Sequence, residues 1–234
     1  MKPHIQINIV NLVIILNECR QNLFDVNSSL SGEREIDESL NELFDKGDEG
    51  VIVIGIDNGS VSRIDEYSPW INSEYGGGEG DEYVNFIVET LKPYVDSSFI
   101  TMPDRLNTGI MGSSLGALIS FYAAIEHQDV FSKAGIFSPS FWFSDEVYAH
   151  VDTTGKKYDM DIYLLGGEQE GDDLIQDMND MIIILHNAGF EDSEIKMITH
   201  QDGQHSECYW CREFPHGYLW LFNRSVQLIP SYLI

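Results

Sequence analysis

Short apolar runs alternate with amphipathic stretches along the whole chain. "VIVIGI", residues 51–56, is almost continuously apolar, as a strand covered on both faces must be. Ile9 to Leu16, "NTGIM" (107–111), "KAGIFS" (133–138), "DIYLL" (161–165) and "IKMIT" (195–199) read as further strands. Between them, Ile36 to Phe44, Leu115 to Glu126, Asp172 to Asn187 and Trp210 to Phe222 carry helical patterns. Asp81 is positioned to cap another helix, running to about Leu91 and stopped near Pro93. Residues 57–80, with "EYSPW" and "GGGEGD", read as a long loop. Strand and helix taking turns predict an α/β fold: a mostly parallel sheet with helices on both faces, in one domain spanning 1–234. In such sheets the loops beyond the carboxyl ends of the strands carry the chemistry.

Composition narrows the function classes. The 234 residues are 43% hydrophobic and 12% aromatic, enough for one full core. With 39 acids against 13 bases the formal net charge is −26, which repels a phosphate backbone, so no nucleic-acid partner is expected. "MKPHIQINIVNLVIIL" is too short an apolar run to span a membrane, is interrupted by Asn8 and Asn11, and lacks a signal-peptide cleavage pattern. A buried strand and a cytoplasmic protein without membrane partners are therefore expected. Cys19, Cys208 and Cys211 make no disulfide framework. Cys208 and Cys211 have C-x-x-C spacing, but no second pair completes a zinc site, so they read as structural thiols and no cofactor or metal is expected.

The chemistry concentrates in "GIMGSSLGALIS", residues 109–120. Gly112-Ser113-Ser114-Leu115-Gly116 is a G-x-S-x-G match between a predicted strand and a predicted helix. A nucleophile on such a sharp turn needs small flanking residues, because larger side chains would clash with strand and helix. The turn projects the Ser114 hydroxyl above the sheet, where the helix N-terminus favours developing negative charge. In this architecture the acid and then the histidine follow the serine along the chain. The last strand is followed by His200, at its end, and by His205, in the loop "DGQHSE". A loop histidine reaches over the turn more readily, so His205 is the candidate base. The acid belongs after "DIYLL", where "GGEQEGDD" offers Glu168, Glu170, Asp172 and Asp173; residue chemistry alone does not choose among them.

These stretches resemble the esterases of the alpha/beta-hydrolase superfamily related to enterochelin and trilactone esterases, feruloyl esterases and S-formylglutathione hydrolases. The resemblance covers about residues 21–222 and rests on "QNLFD" (21–25), "EYSPW", residues 76–96, "GSSLGALIS", "FSPSFWF" (137–143), "GEQEG" (167–171) and "GQHSECYWCREFP" (203–215). It implies an alpha/beta-hydrolase fold, a carboxylic ester as small-molecule partner, and Glu170 as the acid, with Glu168 and Asp172 as alternates. It also implies oxyanion donors at the backbone N–H of Leu115 and near Arg20 or Gln21, where Cys19-Arg20 stands in place of the usual Asp-Gly. Tyr67, Trp70 and Trp142 are the pocket candidates. The N-terminal edge strands read as shortened or missing, which invites a homodimer covering the sheet edge. Thioesterase, siderophore-trilactone esterase and a non-catalytic hydrolase-fold binding protein are the competing functions.

Overall fold

The computed structural model describes residues 11–16, 35–56 and 59–223, and of residues 12–16 only the backbone. Six strands form one all-parallel sheet: β1 (Asn11–Leu16), β2 (Val51–Ile56), β3 (Thr108–Ser113), β4 (Lys133–Phe137), β5 (Asp161–Gly167) and β6 (Ile195–His200), in the order β2-β1-β3-β4-β5-β6. The chain winds one way from β1 to β2 and the other way from β3 to β6. The order therefore reverses between β1 and β3, the place where open α/β sheets leave a crevice beyond their carboxyl ends. Ser114 follows β3 at that point.

Period-two alternation divides the core. Ile110 of β3 and Ile162 and Leu164 of β5 face one side, where they pack with α5 (Leu115–Glu126), α6 (Glu146–Thr154) and α7 (Leu174–Asn187). Met111, Tyr163 and Leu165 face the other, against α1 (Ile36–Asp45) and α8 (Glu207–Leu221). Eleven of the twelve residues of α5 are buried, so this helix lies in the centre of its layer and its N-terminus is fixed against the sheet.

Two expectations are revised. The helix predicted to stop near Pro93 continues to Ser98: Gly80–Phe86 passes through a π-helical turn, Ile87–Leu91, into Lys92–Ser98. Pro93 directly follows the π-helical turn, through which the backbone stays right-handed helical, and buried Val84, Ile87 and Val95 hold the rod to the core. The supposed loop at 57–80 contains a short helix, Arg63–Glu66, and a bridge between Asn72 and Gly76. Helix α6 has no counterpart among the predicted elements. The expected shortening of the N-terminal edge lies outside the described residues. Among those described, no helix is long and apolar enough to cross a membrane.

Candidate active site

The turn after β3 is tight because two glycines let strand and helix approach. A Cβ on Gly112 would sit 2.1 Å from the Gly116 carbonyl oxygen, so no side chain fits there. Ser114 takes φ 56°, ψ −127°, a conformation L-residues avoid, and is locked by its N–H donating to the Phe137 carbonyl at 2.9 Å. Leu115 begins α5, so its N–H belongs to the first turn, whose donors have no intrahelical acceptor.

Two loops bring the remaining groups to this serine. Glu170 follows β5 and His205 follows β6. The loops touch backbone to backbone: a Cβ on Gly167 would lie 2.3 Å from the Gly203 carbonyl, and Gln169 N–H donates to Gly203 O at 3.0 Å. Ser206 caps α8 with its hydroxyl, accepting from Tyr209 N–H at 3.4 Å, which anchors His205 directly before a helix start.

The resulting chain of hydrogen bonds is continuous. His205 Nε2 stands 2.9 Å from Ser114 Oγ, and His205 Nδ1 stands 2.7 Å from Glu170 Oε2. The Glu170 side chain is 1% exposed, against 45% for His205. Its other oxygen, Oε1, accepts from Gly167 N–H at 2.7 Å and from the Ser138 hydroxyl at 2.8 Å. Both oxygens of this buried carboxylate are therefore satisfied by fixed partners. Beside the chain, a cavity of about 190 Å³ is lined by His205, Ser140, Trp142, Leu174 and the acids Asp172, Asp173 and Asp177. Trp142 and Asp177 also border a second cavity of about 420 Å³, lined by Phe141, Tyr148, Ile183 and Ile184 together with Asp145 and Asp180. Burial, and then the charges of Asp173, Asp180 and Asp145, push the Asp177 carboxyl above its ordinary value.

The other candidates are placed elsewhere. Tyr67 is fully buried in the core against Tyr83, and Trp70 packs on Tyr122 and His150; neither lines the two cavities. Trp142 does line them, 58% exposed, with its edge on Tyr75 and Phe143. Glu168 is exposed, and Asp172 sits at the cavity rim. His200 Nδ1 is 3.2 Å from the Tyr209 hydroxyl, which donates to Gly166 O at 3.0 Å, so it serves the β6–α8 packing. Arg20 and Gln21 lie outside the described residues. Cys208 and Cys211 are on the first turns of α8, Cys208 exposed and Cys211 with its Sγ 3.7 Å from Glu35 Oε2. Among the described residues no group of three or more His, Cys, Asp or Glu side chains is placed to hold a metal. Sequence reasoning passed over Ser138 and Trp210; the "FSPS" stretch and the tryptophan five residues after His205 were their signals.

A protein-family model described as "Putative esterase" matches residues 23–221, spanning the serine turn, both loops and α8. The chain belongs to this esterase family. It is a carboxylic ester hydrolase with an alpha/beta-hydrolase fold. The "Uncharacterized protein YbbA" of Bacillus subtilis (strain 168) is 23% identical over 188 residues, 75% of this chain and 74% of that protein. The BES protein from Bacillus cereus superposes with a TM-score of 0.70 at 17% identity, over 92% of this esterase and 83% of that chain. S-formylglutathione hydrolase (FrmB) from Staphylococcus aureus gives 0.67 at 19% identity, over 93% and 83%.

Proposed function

We propose that this esterase works through a Ser114–His205–Glu170 triad and a covalent acyl-enzyme. The observation that carries the reading is the continuous hydrogen-bonded chain, 2.9 Å from serine to histidine and 2.7 Å from histidine to glutamate. Ser114 Oγ attacks the ester carbonyl while His205 Nε2 takes its proton. The imidazolium then gives that proton to the departing alcohol. Water, deprotonated by the same nitrogen, attacks the acyl-enzyme, and the returning proton frees Ser114. Glu170 holds the Nδ1–H tautomer and balances the imidazolium charge. The oxyanion rests on the Leu115 N–H and on a second backbone donor near Arg20 or Gln21. Each such donor is worth about 2.7–4 kcal/mol in the transition state.

The cavity beside His205 suits a small, uncharged group. Its volume of about 190 Å³ is below the range of roughly 300–1,000 Å³ that drug-sized ligands occupy. Asp172, Asp173 and Asp177 on its wall oppose an anion. This favours a short neutral ester over a siderophore trilactone or an anionic thioester. A non-catalytic binder has no use for the aligned chain.

A fluorophosphonate probe with peptide mass spectrometry tests the reading. The adduct is expected on Ser114, absent in Ser114→Ala and strongly slowed in His205→Ala, with hydrolysis of p-nitrophenyl acetate lost in parallel. A folded wild-type protein that takes no label and cleaves no ester would sink it and favour the binding protein.

A further inference from the structure

Resting on the proposed triad, we infer that Ser138 and Trp210 are positioning residues that fix Glu170, and through it the His205 tautomer. The direction of the hydrogen bonds leaves no freedom. An indole N–H only donates. Trp210 Nε1 lies 2.8 Å from Ser138 Oγ, so that oxygen accepts and its own hydrogen is left for Glu170 Oε1, 2.8 Å away. With Oε1 filled by Ser138 and by Gly167 N–H, Oε2 is the oxygen left for His205 Nδ1. Trp210 also packs its ring edge-to-face on the His205 imidazole, with centroids 4.9 Å apart. One indole therefore steadies the base directly and the acid through Ser138.

The backbone marks Ser138 as selected for this place. It takes φ 46° and is 1% exposed, directly after β4. A non-glycine residue held in that region carries strain that a buried, purely structural turn would shed by using glycine. The serine hydroxyl is what glycine lacks.

The variants Ser138→Ala, Ser138→Gly and Trp210→Phe separate hydroxyl, strain and packing. Hydrogen bonds to charged groups are worth enough that both Ser138 variants should lose about ten- to a hundredfold in kcat with KM within about twofold. The low-field proton resonance of His205 Nδ1–H should shift or broaden in both. Trp210→Phe keeps the ring and loses the donor; it should fall in the same direction by less, and the Ser138→Ala/Trp210→Phe pair should fall no further than Ser138→Ala. Wild-type labelling at Ser114 is read first, because its absence removes the triad itself. If labelling is intact and Ser138→Gly keeps full kcat, or if no folded variant moves the Nδ1–H resonance, the positioning role is wrong. Should the Ser138 variants fail to fold, Trp210→Phe alone decides by the same two readouts.

Discussion

The contact between Gly167 and Gly203 makes activity depend on a single absent methyl group. In Gly167→Ala the new Cβ would start 2.3 Å from the Gly203 carbonyl carbon and oxygen. Ordinary contact begins at 3.4 Å, so the backbones must part by 3.4 − 2.3 = 1.1 Å. Both neighbours are backbone, so no side-chain rotation relieves the clash. The displaced segments carry Glu170, three residues on, and His205, two residues after Gly203. A misplacement of about 1 Å in a catalytic group typically costs on the order of a hundredfold. We expect kcat for p-nitrophenyl acetate to fall by about that factor, with a stability loss of roughly 1–3 kcal/mol from overpacking.

The stability loss needs a control that shares it. Gly47 has φ +103°, and a Cβ added there would meet nothing within 4 Å; it lies just past the end of α1, on neither of the loops that carry Glu170 and His205. Gly47→Ala meets backbone strain but no clash and should lose about 1–2 kcal/mol with kcat unchanged. Chemical denaturation gives the stability of both variants, and initial rates give kcat. A Gly167→Ala protein as active as Gly47→Ala, at similar stability, would refute the claim that the loop contact sets the triad geometry.

Three further outcomes follow from the structure. Trp142→Ala joins the two cavities of about 190 and 420 Å³, so the preference for p-nitrophenyl octanoate over acetate, read as a ratio of kcat/KM, should rise by at least about tenfold, given ~1–3 kcal/mol per methylene in an apolar pocket; an unchanged ratio denies that the indole is the partition. Asp177 sits where burial and three other aspartates raise its pKa, so its ionised form costs stability at neutral pH, and that cost fades as pH falls toward the unfolded value of 3.8. Asp177→Asn should therefore raise Tm at pH 7 and lose the advantage near pH 3.5, as thermal melts at both pH values will show. His150, between Trp70 and Tyr122, has its pKa lowered by burial against the opposing pull of Glu126. The unfolded chain then takes up a proton first, so stability drains as pH falls below 6.5; His150→Phe should flatten the fall in Tm between pH 7 and 5, and an equally steep fall would count against a neutral buried His150.

The sheet was legible because its strands read as short apolar runs, although the burial differs: β3, β4 and β5 are almost wholly buried, whereas "VIVIGI" forms the edge strand β2 and is half-buried along its length. The serine turn was legible because its glycines answer a local steric demand, visible at Gly112 as a 2.1 Å clash. The acid was not. Glu168, Glu170, Asp172 and Asp173 have the same chemistry within six residues, and what separates them is tertiary: Glu170 alone receives Gly167 N–H and Ser138. Resemblance to the family supplied that choice. Tyr67 shows the opposite limit, since an aromatic before "SPW" fits a pocket or a core equally well, and only its zero exposure decides. Pro93 misled because a proline stops a helix in isolation, whereas here it follows a π-helical turn in a rod whose buried residues hold it to the core.

Two strained turns stand side by side and serve one hydrogen-bonded chain. Among the described residues, five non-glycine positions have positive φ: Glu35, Ser60, Ser114, Ser138 and Asn223. Two of them are the serines that immediately follow adjacent strands β3 and β4, and each hydroxyl ends in the same hydrogen-bonded chain. The two turns are also tied to each other, through Ser114 N–H to Phe137 O at 2.9 Å and Ser140 N–H to Ser114 O at 3.2 Å. Relaxing either turn would drag the other, so neither can drift to an easier conformation alone. The rigid α5 layer beneath offsets this strain through its buried packing. In the proposed triad, one strained unit therefore presents the Ser114 hydroxyl and braces Glu170 through Ser138, and His205 bridges the two from the β6–α8 loop.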